Sequence, residues 1–306
     1  METLLRSSII LSESILSFKT RINHISLNGP EKSDYEFLFN FFEQVNRESD
    51  KIGKEASQEI KSWFNGLMDT THSLFGFANI KPYGYAGDFE IISKFYAHHL
   101  SPDPVYRKWD SFIQSGVASK AVRNRKNYIK NLLLTLPQNA KVLNLASGPC
   151  TDINEFITET GRYDIQFLNL DMDAHAIAYA KAQLKNCPNK IEFINQNIFK
   201  FRSDEKFDLI WSAGLFDYFD DKTFGRIISR LEDNIKKEGQ MVIGNFSLEN
   251  KDKSIMEFVD WPLNHRSAEK LLMLGQRSTS LNATIGAEPM KVNLFLHLSA
   301  ESFLDN

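Results

Sequence analysis

The sequence predicts an α/β protein whose first half is helical and whose second half builds a mainly parallel sheet. Two textures and a length predict it. Up to about residue 135 apolar residues recur at helical spacing, as in Tyr35, Leu38, Phe39, Phe42 and Val45, or Ile129, Leu132 and Leu133. After Pro137 short β-branched or aliphatic runs alternate with helical stretches, the pattern of strands joined by crossover helices. The chain has 306 residues, more than one average domain. A helical cap over residues 1–136 and a Rossmann-like core over residues 137–306 are therefore expected.

In chain order, Met1 to Ser17 carries Ile9, Ile10 and Leu11, but Glu2, Arg6 and Glu13 interrupt it. The pattern predicts an amphipathic helix, with neither a secretory cleavage site nor the roughly 20 apolar residues of a membrane span. Helices in the first half should break at Asn28-Gly29-Pro30 and at Lys81-Pro82-Tyr83-Gly84-Tyr85-Ala86-Gly87-Asp88. Strands are expected over Lys141 to Ala146, Ile165 to Leu170, Ile191 to Ile194, Phe207 to Trp211 and Met241 to Phe246. Helices should fill Asp152 to Thr160, Ala174 to Lys185, Lys222 to Lys237 and Ala268 to Leu274. Two final strand-like runs, Thr279 to Ile285 and Val292 to Leu298, flank Gly286-Ala287-Glu288-Pro289 and predict a terminal antiparallel hairpin.

A hydrophobic content of 42%, 25% charge and a net charge of −3 describe a globular protein with no excess charge for a nucleic-acid partner. Cys150 and Cys187 are too few for a disulfide framework or a thiolate metal cage, which fits a reducing cytoplasm. Asp217, Asp220 and Asp221 lie close in sequence, yet hard cations need several convergent oxygens, so no metal is expected.

The run Val142-Leu143-Asn144-Leu145-Ala146-Ser147-Gly148-Pro149-Cys150-Thr151-Asp152 reads as a strand, a tight turn and a helix start. Gly148 allows close approach of a ligand to backbone, and the helix N-terminus offers free N–H groups. Asp171 ends the second strand, where a carboxylate can accept two ribose hydroxyls. A dinucleotide fares poorly, because Ala146-x-Gly148-x-x-Thr151 keeps only the middle glycine of the G-x-G-x-x-G pattern. After the third strand, Asn197 could read an adenine edge and Ile198 pack on its face.

The order of these pieces, with Ser212-Ala213-Gly214-Leu215-Phe216-Asp217-Tyr218 leaving the fourth strand, resembles class I S-adenosylmethionine-dependent methyltransferases. The resemblance implies a seven-stranded sheet with a reversed last strand. It also implies a cofactor held by Ala146 and Gly148, Asp171 with Met172, Asn197 with Ile198, and Ser212 with Ala213. Lys81 to Asp88, Ser212 to Tyr218, Gly244-Asn245-Phe246 and Met256 to Arg266 are similar to a bacterial subfamily that includes the enzyme associated with 3-hydroxypalmitic acid methyl ester, a diffusible signal. Three departures stand out: Asn144 replaces the usual acid of strand one, and Ala146 and Cys150 replace usual glycines. A third is His265, where that subfamily usually has tyrosine.

Methyl transfer from a sulfonium needs alignment and exclusion of water more than covalent help. A cap hinged at Pro82, Gly84 and Gly87 would enclose the site, with Tyr83 and Tyr85 near the sulfonium and Asp88 near the cofactor's ammonium. From the run Arg123-Asn124-Arg125, Arg123 is taken to face the cofactor's carboxylate. Tyr218 is expected to orient the acceptor, Arg266 to pair with an acceptor carboxylate, and His265 to serve as base for a phenol or amine. Phe216, Phe219 and Phe224 read as core before acyl channel. The expected partner is a small acidic or acyl acceptor, methylated on oxygen, with a homodimer as one assembly. Two other readings stay open, an internal cyclisation of the cofactor releasing methylthioadenosine, and an adenosyl-ligand sensor without catalysis.

Overall fold

A computed structural model of the chain describes residues 11–49 and 53–300. The predicted helix at Met1 to Ser17 falls largely outside the described residues, its described part being the short turn Glu13–Leu16. The chain divides into two compact units, each made from separated segments. Residues 1–87, 98–116 and 251–261 form a helical unit; residues 88–97, 117–250 and 262–306 form a sheet unit. The single boundary expected after residue 136 is thus replaced by five crossings.

In the helical unit, the helices Tyr35–Arg47, Lys54–Ser62, Leu74–Ile80, Pro104–Ser115 and Lys253–Phe258 enclose an aromatic core. Phe75 stacks on Trp109 (centroids 5.6 Å) and on Phe258 (6.1 Å), and Phe42 meets Phe258 edge-on at 5.1 Å. Pro104 opens its helix where its missing N–H is harmless, and the Asp103 carboxylate caps it by accepting from Val105 and Tyr106.

The sheet unit contains seven strands: β1 Lys141–Leu145, β2 Gln166–Asp171, β3 Ile191–Asn195, β4 Phe207–Ser212, β5 Ile235–Phe246, β6 Asn282–Ala287 and β7 Asn293–Ser299. Their order is β3-β2-β1-β4-β5-β7-β6. β1 to β5 run parallel, and β7 enters antiparallel between β5 and β6. The terminal hairpin therefore forms as predicted and supplies the reversed strand. Alternation sorts the two faces. Val142, Phe167, Leu209, Trp211, Val242 and Phe295 pack with Ile129, Leu133, Ile153 and Phe156 on one side. Leu143, Leu145, Ile210, Met241, Ile243 and Leu296 pack with Phe224, Ile228, Leu271 and Leu274 on the other.

One predicted helix is too long. Lys222 to Lys237 was expected to be helical throughout, but the helix is Asp221–Leu231 and β5 begins at Ile235, beside Phe207. The charged Lys236-Lys237-Glu238 run reads as a helix surface. Instead Lys236 pairs with Asp208 at 2.7 Å, and Gly239 passes so near β4 that a Cβ there would lie 2.7 Å from the Phe207 carbonyl. Among the described residues no helix is long and apolar enough to cross a membrane.

Candidate functional site

Strand order reverses at β1 and β4, the position where open α/β sheets take ligands beyond their carboxyl ends. β1 ends there in a turn with left-handed backbone at Ala146, Gly148 and Cys150 (φ 51°, 55° and 51°). Gly148 adopts this freely, whereas Ala146 and Cys150 carry roughly 1–2 kcal/mol each. The turn is held by hydrogen bonds from Ser147 N–H to the Leu170 carbonyl (3.1 Å) and from Gly148 N–H to Asp171 Oδ2 (2.9 Å), and by the fully buried Cys150. A Cβ on Gly148 would meet nothing within 4 Å. That open space and the buried, unpartnered Ser147 hydroxyl are features a bound ligand would use.

Asp171 is buried at the end of β2, with Oδ2 on Gly148 N–H and Oδ1 on Asp173 N–H at 2.9 Å. A carboxylate offers about four acceptor positions, so capacity remains for a ligand hydroxyl beside the backbone N–H groups of Gly148, Asp173 and Met172. Burial raises its pKa, against the opposing effect of these N–H bonds. Asn195 Nδ2 donates to the carbonyls of Asp171 and Met172 (3.1 and 3.0 Å), joining the loops after β2 and β3. Asn197 Oδ1 accepts from Phe199 N–H, and its Nδ2 lies 3.9 Å from Met172 Sδ. Ile198, expected on the adenine face, turns into the core beside Phe201 and Leu170 because a buried apolar position there completes the sheet packing. The exposed apolar surface beside Asn197 belongs instead to Met172 and Phe199. Phe199 is a residue the sequence reading missed, its signal being an apolar side chain directly after the third-strand loop.

β4 leaves through Ser212, whose hydroxyl donates to the Leu145 carbonyl at 3.3 Å, and Ala213, whose carbonyl would lie 2.4 Å from a Cβ on Gly244. Leu215–Tyr218 then forms a 3₁₀ turn. Phe216 and Phe224 are fully buried, 4.9 Å apart edge-to-face, which makes them core as expected. Tyr218 is 44% exposed at the same edge. Asp217 is buried: Oδ1 accepts from Phe246 N–H at 2.7 Å, and its carbonyl accepts from Asn264 N–H at 2.7 Å. Burial pushes its carboxyl up to about 7, opposed by the Phe246 N–H and by the charges of Arg125 and Arg266.

Two expected acceptor groups are corrected by their contacts. Arg266 is buried; its Nε donates to Asp221 Oδ1 (3.1 Å), Nη1 to Asn245 Oδ1 (2.6 Å) and the Phe216 carbonyl (3.2 Å), and Nη2 to the Phe219 carbonyl. With all three nitrogens bonded to protein, it fixes the β4 exit rather than facing an acceptor. His265 has Nδ1 3.1 Å from the Leu263 carbonyl and Nε2 3.0 Å from Asn250 Nδ2. The carbonyl demands a proton on Nδ1, so Nε2 accepts the Asn250 N–H and is not a ready base.

The two arginines of the run Arg123-Asn124-Arg125 differ in burial. On the helix Val117–Leu134, Arg125 lies in the buried stripe with Ala121, Ile129 and Leu133, while Arg123 is half-buried on another face. Four-residue spacing to those apolar positions was the signal for Arg125. Tyr83 and Tyr85 belong to the helical unit, in the loop with left-handed Lys81, Gly84 and Gly87. Asp88 belongs to the sheet unit and caps the helix Phe89–Tyr96, Oδ1 accepting from Glu90 and Ile91 N–H at 2.9 Å. Burial raises its carboxyl to about 6, with the Asp173 carboxylate adding to the rise. Asp88 Oδ1 is thus committed to the cap of that helix.

Residues 136–282 match the family model described as a methyltransferase domain. None of the curated proteins matches the chain. A Bordetella parapertussis structure described as a possible exported protein is 14% identical, with 97% of this chain and 99% of that one covered at a TM-score of 0.65. A candidate O-methyltransferase of Nostoc punctiforme is 10% identical, covering 94% of this chain and 99% of that one at a TM-score of 0.54. At these identities the two structures establish the shared fold. The seven-stranded sheet has the class I methyltransferase fold, and the methyltransferase-domain match runs from just before β1 to the start of β6. The open Gly148 turn, the Asp171 carboxylate and the buried Ser147 hydroxyl give the end of this sheet room and polar capacity for a ligand.

Proposed function

We propose that this protein transfers the methyl group of S-adenosylmethionine to a carboxylate oxygen of a small acidic or acyl molecule, forming a methyl ester. The observation that carries the choice of a carboxylate is the state of His265, both of whose ring nitrogens are engaged by Leu263 and Asn250. A phenol or amine must lose a proton during transfer, whereas a carboxylate is ionised near neutral pH and needs no base. The cofactor supplies an activated methyl carbon; the protein has to bind, orient and keep water out. Asp171 is suited to the ribose hydroxyls, Met172 and Asn197 to the adenine, and the Ser147–Gly148 turn to the chain that follows. Tyr218, exposed where β4 ends, is proposed to orient an acceptor. Likeness to the hydroxypalmitate methyl ester subfamily supports an acyl signal or other secondary metabolite as product.

The test is incubation of the purified protein with methyl-labelled cofactor and a panel of hydroxylated fatty acids and other small acids. S-adenosylhomocysteine and a base-labile labelled ester are expected in equal amounts. Methylthioadenosine as the nucleoside product would overturn methyl transfer in favour of cyclisation, and label stable to mild base would place the methyl on a different atom.

A further inference from the structure

β1 ends without a carboxylate. Asn144 is a neutral amide, buried, and its Nδ2 donates to Asn169 Oδ1 at 3.2 Å. A ligand that brings an ammonium and a carboxylate to this crevice must find both counter-charges elsewhere. The structure gathers them at Gly214, immediately beyond β4. A Cβ on Gly214 would lie 2.9 Å from Arg125 Nη1 and 3.5 Å from Asp217 Oδ2. At Gly214 (φ −157°, ψ 5°) the missing Cβ leaves the room that those two groups occupy.

Both groups hold unused capacity. Arg125 is 6% exposed, and its Nε has no hydrogen-bond partner. Its guanidinium bonds the Tyr96 hydroxyl and acts on the Asp152 carboxylate in the first turn of the helix Thr151–Thr160, as well as on Asp217. Asp217 commits Oδ1 to Phe246 N–H, while Oδ2 faces the Gly214 side. A buried guanidinium with an idle N–H is costly unless a further acceptor arrives, and a desolvated carboxylate is stabilised by a nearby cation.

We propose that Arg125 and Asp217 form the receptor for the α-amino-acid end of the cofactor, Arg125 binding its carboxylate and Asp217 supplying its ammonium with the negative charge that β1 lacks. This rests on the S-adenosylmethionine reading of the site. Both are positioning residues: they fix the amino-acid chain and keep its amine protonated, so that it does not act as an internal nucleophile.

Titration calorimetry of the full chain with S-adenosylhomocysteine and with 5′-methylthioadenosine, which lacks the amino-acid end, tests the proposal. The wild type should favour S-adenosylhomocysteine, and Arg125→Gln and Asp217→Asn should each weaken that ligand about 10- to 100-fold while methylthioadenosine binding stays unchanged. Parallel loss of both nucleosides would show a merely structural role, and unchanged S-adenosylhomocysteine binding would show none; either overturns the proposal. So would a wild type that binds the two equally, which leaves the nucleoside site standing. Binding of neither would defeat the cofactor reading itself.

A second measurement needs no variant. Asp217 is faced by Arg125 from the helix Val117–Leu134 and by Arg266 from the loop after the 251–261 segment, and its carboxyl sits at about 7. An arriving ammonium should lower it, so S-adenosylhomocysteine binding at pH 7 should release about half a proton and methylthioadenosine none. Equal proton release by both ligands in buffers of different ionisation enthalpy would overturn the assignment.

Discussion

Left-handed backbone at Ala146 and Cys150 shows how the turn after β1 keeps its shape without the residue type best fitted to it. The strain of roughly 1–2 kcal/mol at each position is offset by the buried Cys150 side chain and the N–H bonds to Leu170 and Asp171. From the sequence, Gly148 and Asp171 were legible because their chemistry depends on residue type and place alone. Arg266 was not, because an arginine near a sheet edge has the same letters whether it meets a substrate or clamps a loop. Its contacts lead to a prediction. Arg266→Lys replaces a planar fork by a point charge and leaves buried acceptors at Asn245, Phe216 and Phe219 unpaired, so unfolding free energy should fall by about 3 kcal/mol. Urea denaturation measures this; a loss below the error of extrapolation would return Arg266 to the acceptor.

Elements were read with mixed success, for identifiable reasons. β1 to β4 announced themselves through apolar runs bounded by turn residues, and the β6–β7 hairpin through its Gly-Ala-Glu-Pro connection. The start of β5 was hidden because Ile235 to Glu238 carries the charges of a helix surface while pairing beside Phe207. Strand β7 also carries a titratable residue that no sequence pattern marks. His297 accepts from the Tyr128 hydroxyl at Nε2 (2.6 Å) and donates from Nδ1 to Gln240 Oε1 (3.1 Å), the neutral tautomer, with Tyr128 stacked 3.8 Å from Phe295. Burial lowers its pKa from 6.5 to about 4. A depressed folded value means that the unfolded chain binds the proton first, so stability held by the neutral ring is present above pH 6.5 and is lost as pH falls towards 4. Asp217 and Asp88, raised to about 7 and 6, have the opposite sign: each favours the folded chain at low pH, and that gain is lost as pH rises through those values. His297→Gln should therefore unfold at a lower temperature than wild type at pH 7.5 and close the gap, or reverse it, at pH 5. Thermal melts at the two pH values check this; an equal gap at both would remove His297 from the pH response.

For the molecule as a whole, the sequence separated a helical from a mixed texture but could not assign each helix to its unit. An amphipathic stripe states that one face is covered without naming what covers it. Hence the helices Phe89–Tyr96 and Val117–Leu134 fall with the sheet, and Lys253–Phe258 falls with the helical unit. A fragment of residues 137–306 follows the apparent sequence boundary yet lacks Ile129 and Leu133, which pack beside Val142, Phe156 and Phe295. It should show no cooperative melt by circular dichroism and should aggregate, whereas the full chain should unfold cooperatively. A sharp transition in the fragment would show that the sheet unit does not need its leading helices.

The return of residues 251–261 to the helical unit has a consequence for the order in which the protein can be made. Phe258 closes the rings of Phe42, Phe64 and Phe75, yet it is translated after β1 to β5. The helical unit, most of which is synthesised before the sheet strands, thus waits with an incomplete aromatic core until β1 to β5 have followed. During that interval it is a natural client for a chaperone, and its maturation is tied in time to that of the sheet.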